Sequence, residues 1–208
     1  MITLDHIVIG ASDLDAAIAG FSTDYGLTAS KGGAHPDLGT HNALIGAGQT
    51  YIELLAPLPG TQCAVKSLNT LKAPTLFHYA LRTRELEAIK ERAAALGVNS
   101  DGIQTGRRQT ADGALLTWRI LHFRGHALGA ALPFFIDWQN TLPPANQLDA
   151  QASDLALTVT APPMLSTLLD GAVRGLEIEP GDNALSLSFT VDDQRVEISA
   201  PYPLPAGL

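Results

Sequence analysis

The sequence predicts an α+β fold built from tandem modules, each with a strand, a helix and three further strands. Residues 4–17 (LDHIVIGASDLDAA) and 76–89 (LFHYALRTRELEAI) share an alternating apolar run with an early histidine, followed by an acidic amphipathic stretch. Each copy closes on a strand-like run with an acid in it, residues 49–55 (QTYIELL) in the first and 132–138 (LPFFIDW) in the second. These two observations indicate a duplicated βαβββ unit.

The first module begins with a strand over residues 4–10, whose alternation puts Leu4 and His6 on one face. A capped helix of about 12 residues follows and is expected to cover the opposite face. Two further strands flank a glycine-rich stretch, and a reversal at residues 46–48 leads into the strand that bears Glu53. His6 is therefore predicted to point away from the helix.

The second module is predicted to repeat this order with longer connections. The same alternation puts His78 on a face with Leu76 and opposite Phe77. Both histidines are therefore predicted to face away from their helices. The elements of this module are a strand over residues 77–83, a helix over 84–96, and strands over 103–109, 115–123 and 130–138.

The domain organisation follows from these repeats. Residues 1–140 form one domain, with module one at 1–60 and module two at 74–140. A linker rich in Pro, Asn and Gln covers residues 141–153, and a shorter third βαβββ-like module is predicted over 154–201. The third module has no histidine in its first strand, so we expect it to have no role in metal binding.

Composition and charge narrow the range of functions. The chain has 208 residues, with 21 acidic and 13 basic ones and a formal net charge of −8. It has no stripe of basic residues that could neutralise phosphates, so we expect no nucleic-acid partner. The N-terminus lacks the pattern of a secretory signal, and no apolar run reaches the roughly 18 residues of a membrane span. The single cysteine, Cys63, fits a reducing compartment. We expect a cytoplasmic protein with a small-molecule substrate and no membrane partner, and a homodimer is compatible with the sequence.

The repeated modules, with a histidine in each first strand and an acid in each fourth, resemble the vicinal oxygen chelate superfamily. That superfamily includes glyoxalase I, bleomycin-resistance proteins and extradiol dioxygenases. More narrowly, the chain is similar to the glyoxalase-like domain branch over about residues 1–140. The resemblance implies curved mixed sheets that form a cleft, with the helices outside. The motifs that carry the resemblance are residues 4–8 (LDHIV), 32–35 (GGAH), 39–44 (GTHNAL), 51–54 (YIEL) and 134–138 (FFIDW).

The resemblance also implies that metal ligands come from the first and fourth strands of both modules. On this sequence they would be His6, Glu53, His78 and Asp137, and they would hold one divalent ion, Zn, Fe, Mn, Co or Ni. Glu53 is the candidate catalytic residue, as a carboxylate that loosens from the ion to move a proton. The alternatives are a site with three of these ligands and the absence of a metal site, because an isolated strand histidine is more often a hydrogen-bonded structural group.

Four further residues are candidates for substrate binding. Arg119 is predicted to point into the cleft as an anion clamp, with an exposed strand arginine as the alternative. His35 lies in the glycine-rich connection, where the backbone can approach a ligand closely, and Asn42 lies on the strand that follows. Phe135 shares a face with Asp137 in the predicted alternation, although its simplest interpretation is as core.

Other chemistries lack their motifs in this sequence. It has no phosphate-binding glycine loop, no Gly-x-Ser-x-Gly, no Cys-x-x-Cys and no His-Glu-x-x-His. His122 and His126 are four apart and would form a metal pair only on a helix, whereas this stretch is predicted as strand and turn. We expect a metal-dependent lyase or isomerase that chelates adjacent oxygens of a small molecule. The alternatives are a metal-free small-ligand-binding or resistance protein that uses the same cleft, and a protein whose cleft is vestigial and whose third module forms an interface.

Overall fold

The computed structural model describes residues 1–109 and 115–200 and contains two β-sheets with helices packed on them. Short 3₁₀ helices cover Lys66–Thr70, Gly129–Ala131 and Pro144–Gln147. The remaining elements are β1 (Thr3–Gly10), α1 (Leu14–Tyr25), β2 (Ser30–His35), β3 (Thr40–Ala47), β4 (Thr50–Pro57), β5 (Thr75–Arg82), α2 (Leu86–Ala95), β6 (Asn99–Gln109), β7 (Leu115–Arg124), β8 (Phe134–Asp137), β9 (Ser153–Ala161), α3 (Met164–Leu169), β10 (Leu176–Pro180), β11 (Ala184–Val191) and β12 (Gln194–Ser199).

The first sheet joins the two predicted modules side by side. Its strand order is β2-β3-β4-β1-β5-β8-β7-β6, so β1 and β5 meet at the centre as an antiparallel pair. Within each module the first strand runs parallel to the fourth, β1 beside β4 and β5 beside β8. The sheet is mixed and strongly curled, which confirms the predicted α+β fold.

Both long helices pack on the outer, convex face of this sheet. The Asp13 side chain accepts a hydrogen bond from the Ala16 N–H at 2.9 Å and so caps the start of α1. Gly26 ends that helix with φ of 69°, a left-handed conformation that favours glycine. Each helix buries a stripe of side chains in the same apolar core as Ile7 and Ile9 of β1. The helices are therefore outside the curled sheet, as predicted.

The C-terminal sheet extends the same outer core, because buried side chains of β9 and β11 belong to it. Its elements follow the order strand, helix and three strands, and its strand order is β10-β9-β11-β12. Here the first strand lies between the second and the third, whereas β1 lies beside the fourth strand of its module. Residues 195–200 resemble 51–56 in sequence, yet β12 is an edge strand and β4 is not. The predicted end of this module at Pro201 lies outside the described residues.

Bulges change which side chains reach the inner face of the curled sheet. The β1–β5 register shifts between Leu4 and His6, and again beside His78. As a result Leu4 and Leu76 join the outer core, while Phe77 joins the inner apolar cluster. These three differ from the sequence prediction, which assumed uninterrupted alternation. The two histidines keep the predicted orientation, because each bulge lies beside them and does not displace them from the inner face.

Two connections cover the inner face. The 3₁₀ helix between β4 and β5 places Leu68 in the inner cluster, close to Gly10 of β1. The predicted linker contains the 3₁₀ helix Pro144–Gln147, which packs its Ala145 against Tyr51. The inner face is therefore a cleft that these connections narrow. Among the described residues, none of the helices has the length and apolar character that a membrane crossing requires.

Candidate functional site

His6 lies at the centre of a buried polar group on the inner face. Its side chain is almost fully buried, and its ring stacks on Tyr51 with the centroids 4.7 Å apart. His6 Nδ1 lies 2.7 Å from Asp5 Oδ1, and His6 Nε2 lies 3.5 Å from Glu53 Oε2. The imidazole therefore lies between two carboxylates.

Asp5 is a site residue that the sequence pattern did not single out. It is 1% exposed, and its second oxygen, Oδ2, accepts a hydrogen bond from Trp138 Nε1 at 3.0 Å and lies 3.7 Å from Arg82 Nε. Alternation would have placed it on the helix side, but the bulge after Leu4 lets it reach this group. The signal available in the sequence was an acid directly before the motif histidine.

The environment of His6 favours its protonated form. Burial lowers the pKa of the imidazole, since a charged group loses hydration. The hydrogen bond to Asp5 and the negative charges of Asp5 and Glu53 outweigh burial, so the pKa of His6 is raised.

Glu53 is held from its other side by Asn42. Asn42 Nδ2 donates to Glu53 Oε1 at 2.5 Å, and Asn42 Oδ1 accepts the Gly33 N–H at 2.8 Å. A Cβ at Gly32 would clash with that same amide oxygen, so the glycine-rich strand is required for this approach. His35 lies at the end of the same hairpin, with Nδ1 3.1 Å from Thr40 Oγ1. Asn42, a candidate substrate-binding residue, thus positions the Glu53 carboxylate.

His78 lies on the inner face beside the first group. His6 and His78 pack edge-on against the same ring, that of Phe134, with centroid distances of 5.5 and 5.3 Å. His78 Nδ1 lies 2.8 Å from the Tyr79 backbone nitrogen and 3.2 Å from the Tyr79 carbonyl oxygen, and the tautomer of the ring decides whether it accepts from the first or donates to the second. Burial, followed by the nearby His122, lowers the pKa of His78 to about 3.

Strand register identifies which residue of module two corresponds to Glu53. Val8 stands two residues after the module-one histidine and pairs with Glu53. Ala80 stands two residues after His78 and pairs with Phe134. Phe134 therefore occupies the position in module two that Glu53 occupies in module one.

The structure places Asp137 away from the histidines. Its Oδ2 accepts hydrogen bonds from Arg119 Nη2 at 2.8 Å and Nε at 3.2 Å, and its Oδ1 accepts the Gln139 N–H. Arg119 also donates to Glu87 of α2 at 2.6 Å. The predicted fourth ligand and the predicted anion clamp thus pair with each other beside a helix. Phe135 lies in the outer core, so it too differs from its predicted role in the cleft.

The reason for this difference is the alternation of β8. The sequence pattern placed Phe135 and Asp137 on the cleft face, but Ile136 and Trp138 belong to the inner cluster together with Phe134. Their neighbours Phe135 and Asp137 must then face outward. A strand of four residues gave too short a pattern to fix its own orientation.

The donor set tests whether a divalent metal fits these residues. His6 suits a ligand, because its Nδ1 is directed at Asp5 and Nε2 is left toward Glu53. His78 suits one only in the tautomer whose Nδ1 donates to the Tyr79 carbonyl, because Nε2 carries the proton when Nδ1 accepts the Tyr79 N–H. Over residues 1–109 and 115–200, no three His, Cys, Asp or Glu side chains are grouped so that they could hold one ion. The implied four-ligand set is therefore not assembled.

Comparison with protein families agrees with the duplicated architecture and the motif positions. A family model described as "Glyoxalase-like domain" matches residues 4–168, well over half of the chain. The chain belongs to the glyoxalase-like domain family. It is accordingly a member of the vicinal oxygen chelate superfamily. The match continues past residue 140, the end of the predicted resemblance, through β9 and into α3.

Solved structures share the fold of this glyoxalase-like protein. A hypothetical protein from Staphylococcus aureus has a TM-score of 0.66 at 17% identity, over 99% of this chain and 88% of that one. Methylmalonyl-CoA epimerase from Mycobacterium tuberculosis has a TM-score of 0.50 at 24% identity, over 70% of this chain and 91% of that one. A Streptomyces coelicolor methylmalonyl-CoA epimerase variant in complex with 2-nitronate-propionyl-CoA has a TM-score of 0.51 at 20% identity, over 68% of this chain and 98% of that one. No curated protein matches the sequence.

Proposed function

We propose that this glyoxalase-like protein is an isomerase or lyase that moves a proton on a small oxygenated molecule, with Glu53 as the proton carrier. The observation that supports this most is the setting of the Glu53 carboxylate. It is 8% exposed on the inner face, with Asn42 on one oxygen and His6 beside the other. A fixed, nearly dry carboxylate next to a proton donor is the arrangement that general acid–base catalysis needs.

The chemistry assigns a role to each group. Glu53 Oε2 takes a proton from the carbon next to a substrate carbonyl, and the electron pair of that C–H bond moves onto the carbonyl oxygen as an enolate. His6, whose pKa is raised, donates through Nε2 to this oxygen as its charge develops. Asp5 holds the imidazole through Nδ1 and balances its charge. In a hydroxyketone, Glu53 then returns the proton to the former carbonyl carbon, while His6 gives its Nε2 proton to the former carbonyl oxygen and takes the proton of the neighbouring hydroxyl, which completes an isomerisation.

The resemblance to the vicinal oxygen chelate superfamily also implies that the protein binds a divalent metal ion. His6 and Glu53 would hold it, and it would supply Lewis-acid stabilisation of the substrate oxygens. The described residues do not assemble the implied ligand set, and the roles proposed for Glu53 and His6 do not depend on a metal ion. Elemental analysis of wild type against His6→Ala tests this expectation: metal bound in stoichiometric amount and lost in the variant supports it, and metal retained by the variant contradicts it.

Solvent exchange tests the proton transfer with a panel of compounds in place of a single substrate. In D₂O, the wild type is expected to speed deuterium incorporation next to the carbonyl of at least one compound in a panel of hydroxyketones, 2-oxo acids and thioesters, followed by ¹H NMR. Glu53→Gln should abolish this exchange, while Glu91→Gln, on the exposed surface of α2, should leave it unchanged. Equal exchange by wild type and Glu53→Gln would refute the assignment.

The rival function is a binding protein without catalysis. The observation that favours it is Phe134, an aromatic ring of the inner apolar cluster at the position that corresponds to Glu53. The same panel separates the two functions. A compound that binds the wild type and Glu53→Gln equally, with no exchange in either, identifies a binder.

A further inference from the structure

A cavity lined by polar and apolar residues lies on the inner face of module two, beside the Phe134 ring. It has a volume of about 300 Å³, and imidazoles of His78, His122 and His126 line it together with the Phe134 ring. This is the lower end of the size range of ligand pockets. The cavity shares its Phe134 wall with His6, whose ring packs against the same phenyl group. The cavity and His6, whose Nε2 lies 3.5 Å from Glu53 Oε2, thus contact the same phenyl ring.

The imidazoles of this cavity have unused hydrogen-bonding capacity. His122 stacks on Phe134 with centroids 5.0 Å apart and rings 25° from parallel, which fixes its orientation. The Nδ1 atoms of His122 and His126 are buried; that of His122 has no hydrogen-bond partner among the described residues, and the His126 ring lies by the backbone of Phe123. A buried polar atom without a partner costs about 1–3 kcal/mol, so such atoms usually belong to a ligand or water site.

The charge around the cavity selects the kind of ligand. Although the protein carries a formal charge of −8, no Asp or Glu is among the described residues that line this cavity. Arg124 stands at its rim, paired with Asp101. A neutral His78 ring presents an Nε2–H in the tautomer whose Nδ1 accepts the Tyr79 N–H. N–H donors and a guanidinium, with the Asp101 carboxylate outside the lining as the partner of Arg124, suit an acceptor with negative charge.

We propose that this cavity binds an oxyanion, a carboxylate or phosphate group, through the imidazoles of His122 and His126. The further step, that this oxyanion is part of the molecule on which Glu53 acts, rests on the proposed function. It is argued from the Phe134 ring, which lines the cavity and also contacts His6, the neighbour of Glu53. The substrate class is then a small carbonyl compound that carries a carboxylate or phosphate.

Binding is tested on the full chain with inorganic phosphate and with succinate as probes, at constant ionic strength set with chloride. The imidazole ¹⁵N signals of His122 and His126 should shift saturably with at least one probe. In the double variant His122→Gln with His126→Gln, the dissociation constant should rise by about tenfold or more. His41→Gln, a histidine replacement on β3 outside the cavity, should leave it unchanged. The probe that binds more tightly identifies the group as phosphate or carboxylate.

Three results would overturn the proposal. One is the absence of saturable shifts with both probes in the wild type, which needs no variant to fold. Another is equal affinity in the wild type and a double variant whose circular dichroism is native. The third is a visible Co²⁺ spectrum typical of histidine ligation that the double variant loses, because the cavity would then be a cation site.

The experiment separates this inference from the proposed function. Glu53→Gln should still bind the probe with wild-type affinity, since Glu53 does not line the cavity. Anion binding together with no deuterium exchange by any compound would remove the proton-transfer proposal and leave the anion site. Deuterium exchange by the wild type together with no anion binding would remove the anion site and leave the proton-transfer proposal.

Discussion

Acidification tests the burial of the inner-face histidines through protein stability. The pKa of His78 is lowered to about 3, first by burial, whereas an unfolded histidine has a pKa of about 6.5. The unfolded chain therefore binds a proton that the folded chain excludes. The stability due to the neutral ring is present above about pH 6.5 and is lost as the pH falls from there toward 3.

The magnitude follows from the width of this pH window. One pKa unit corresponds to about 1.4 kcal/mol, and about pH 5 lies about 1.5 units below the unfolded pKa. His78 should then cost about 2 kcal/mol of unfolding free energy between about pH 7 and pH 5. The pKa of His122 is lowered to about 4, first by burial, so it should cost a similar amount. His6 acts in the opposite direction, since its pKa is raised.

Urea unfolding at the two pH values, followed by tryptophan fluorescence, measures this loss. The informative quantity is the difference in unfolding free energy between pH values in each variant, because a general loss of stability cancels. His78→Gln should shrink that difference by about 2 kcal/mol relative to wild type, and His41→Gln should not change it. If wild type and His78→Gln lose the same stability on acidification, the neutral buried state of His78 is refuted.

Two further predictions concern the groups that hold His6 and Glu53. Asp5→Asn removes the carboxylate behind the imidazole, so His6 should titrate at lower pH, which ¹⁵N NMR measures; an unchanged titration would contradict the role of Asp5. Gly32→Ala should push Asn42 from Glu53 and slow proton exchange, because its Cβ would clash with the amide oxygen. Gly20→Ala, in α1 with open space around it, is the matched control and should stabilise the protein by about 0.5–1 kcal/mol in thermal unfolding.

The duplicated fold was predictable because each module repeats a long pattern. Strand and helix periodicities over residues 4–17 and 76–89 predict two βαβββ units, and the structure pairs them at β1 and β5. Both histidines were placed on the inner face correctly, although their neighbours Leu4 and Phe77 were not. A bulge inserts one residue and reverses the faces on one side of it, and no residue type in these strands marks where it occurs.

The candidate site was harder to predict because it depends on pairing between strands. Alignment of the sequences YIEL and FFIDW makes Asp137 the counterpart of Glu53 in module two. The hydrogen-bonded strand register makes Phe134 the counterpart instead. Asp5 was missed for a related reason, since its side chain reaches His6 only through the local bulge. Alternation within one strand carries no information on either feature.

The two modules share the order strand, helix and three strands, but they place different side chains on the inner face. Module one supplies a carboxylate beside a histidine of raised pKa, the pair on which the proposed proton transfer depends. Module two supplies neutral imidazoles of lowered pKa around Phe134, with no carboxylate among the described residues that line their cavity. A carboxylate at the Phe134 position would lie beside His78 and raise its pKa. The aromatic ring keeps those imidazoles neutral, and it therefore gives module two binding chemistry that the acid–base group of module one does not have.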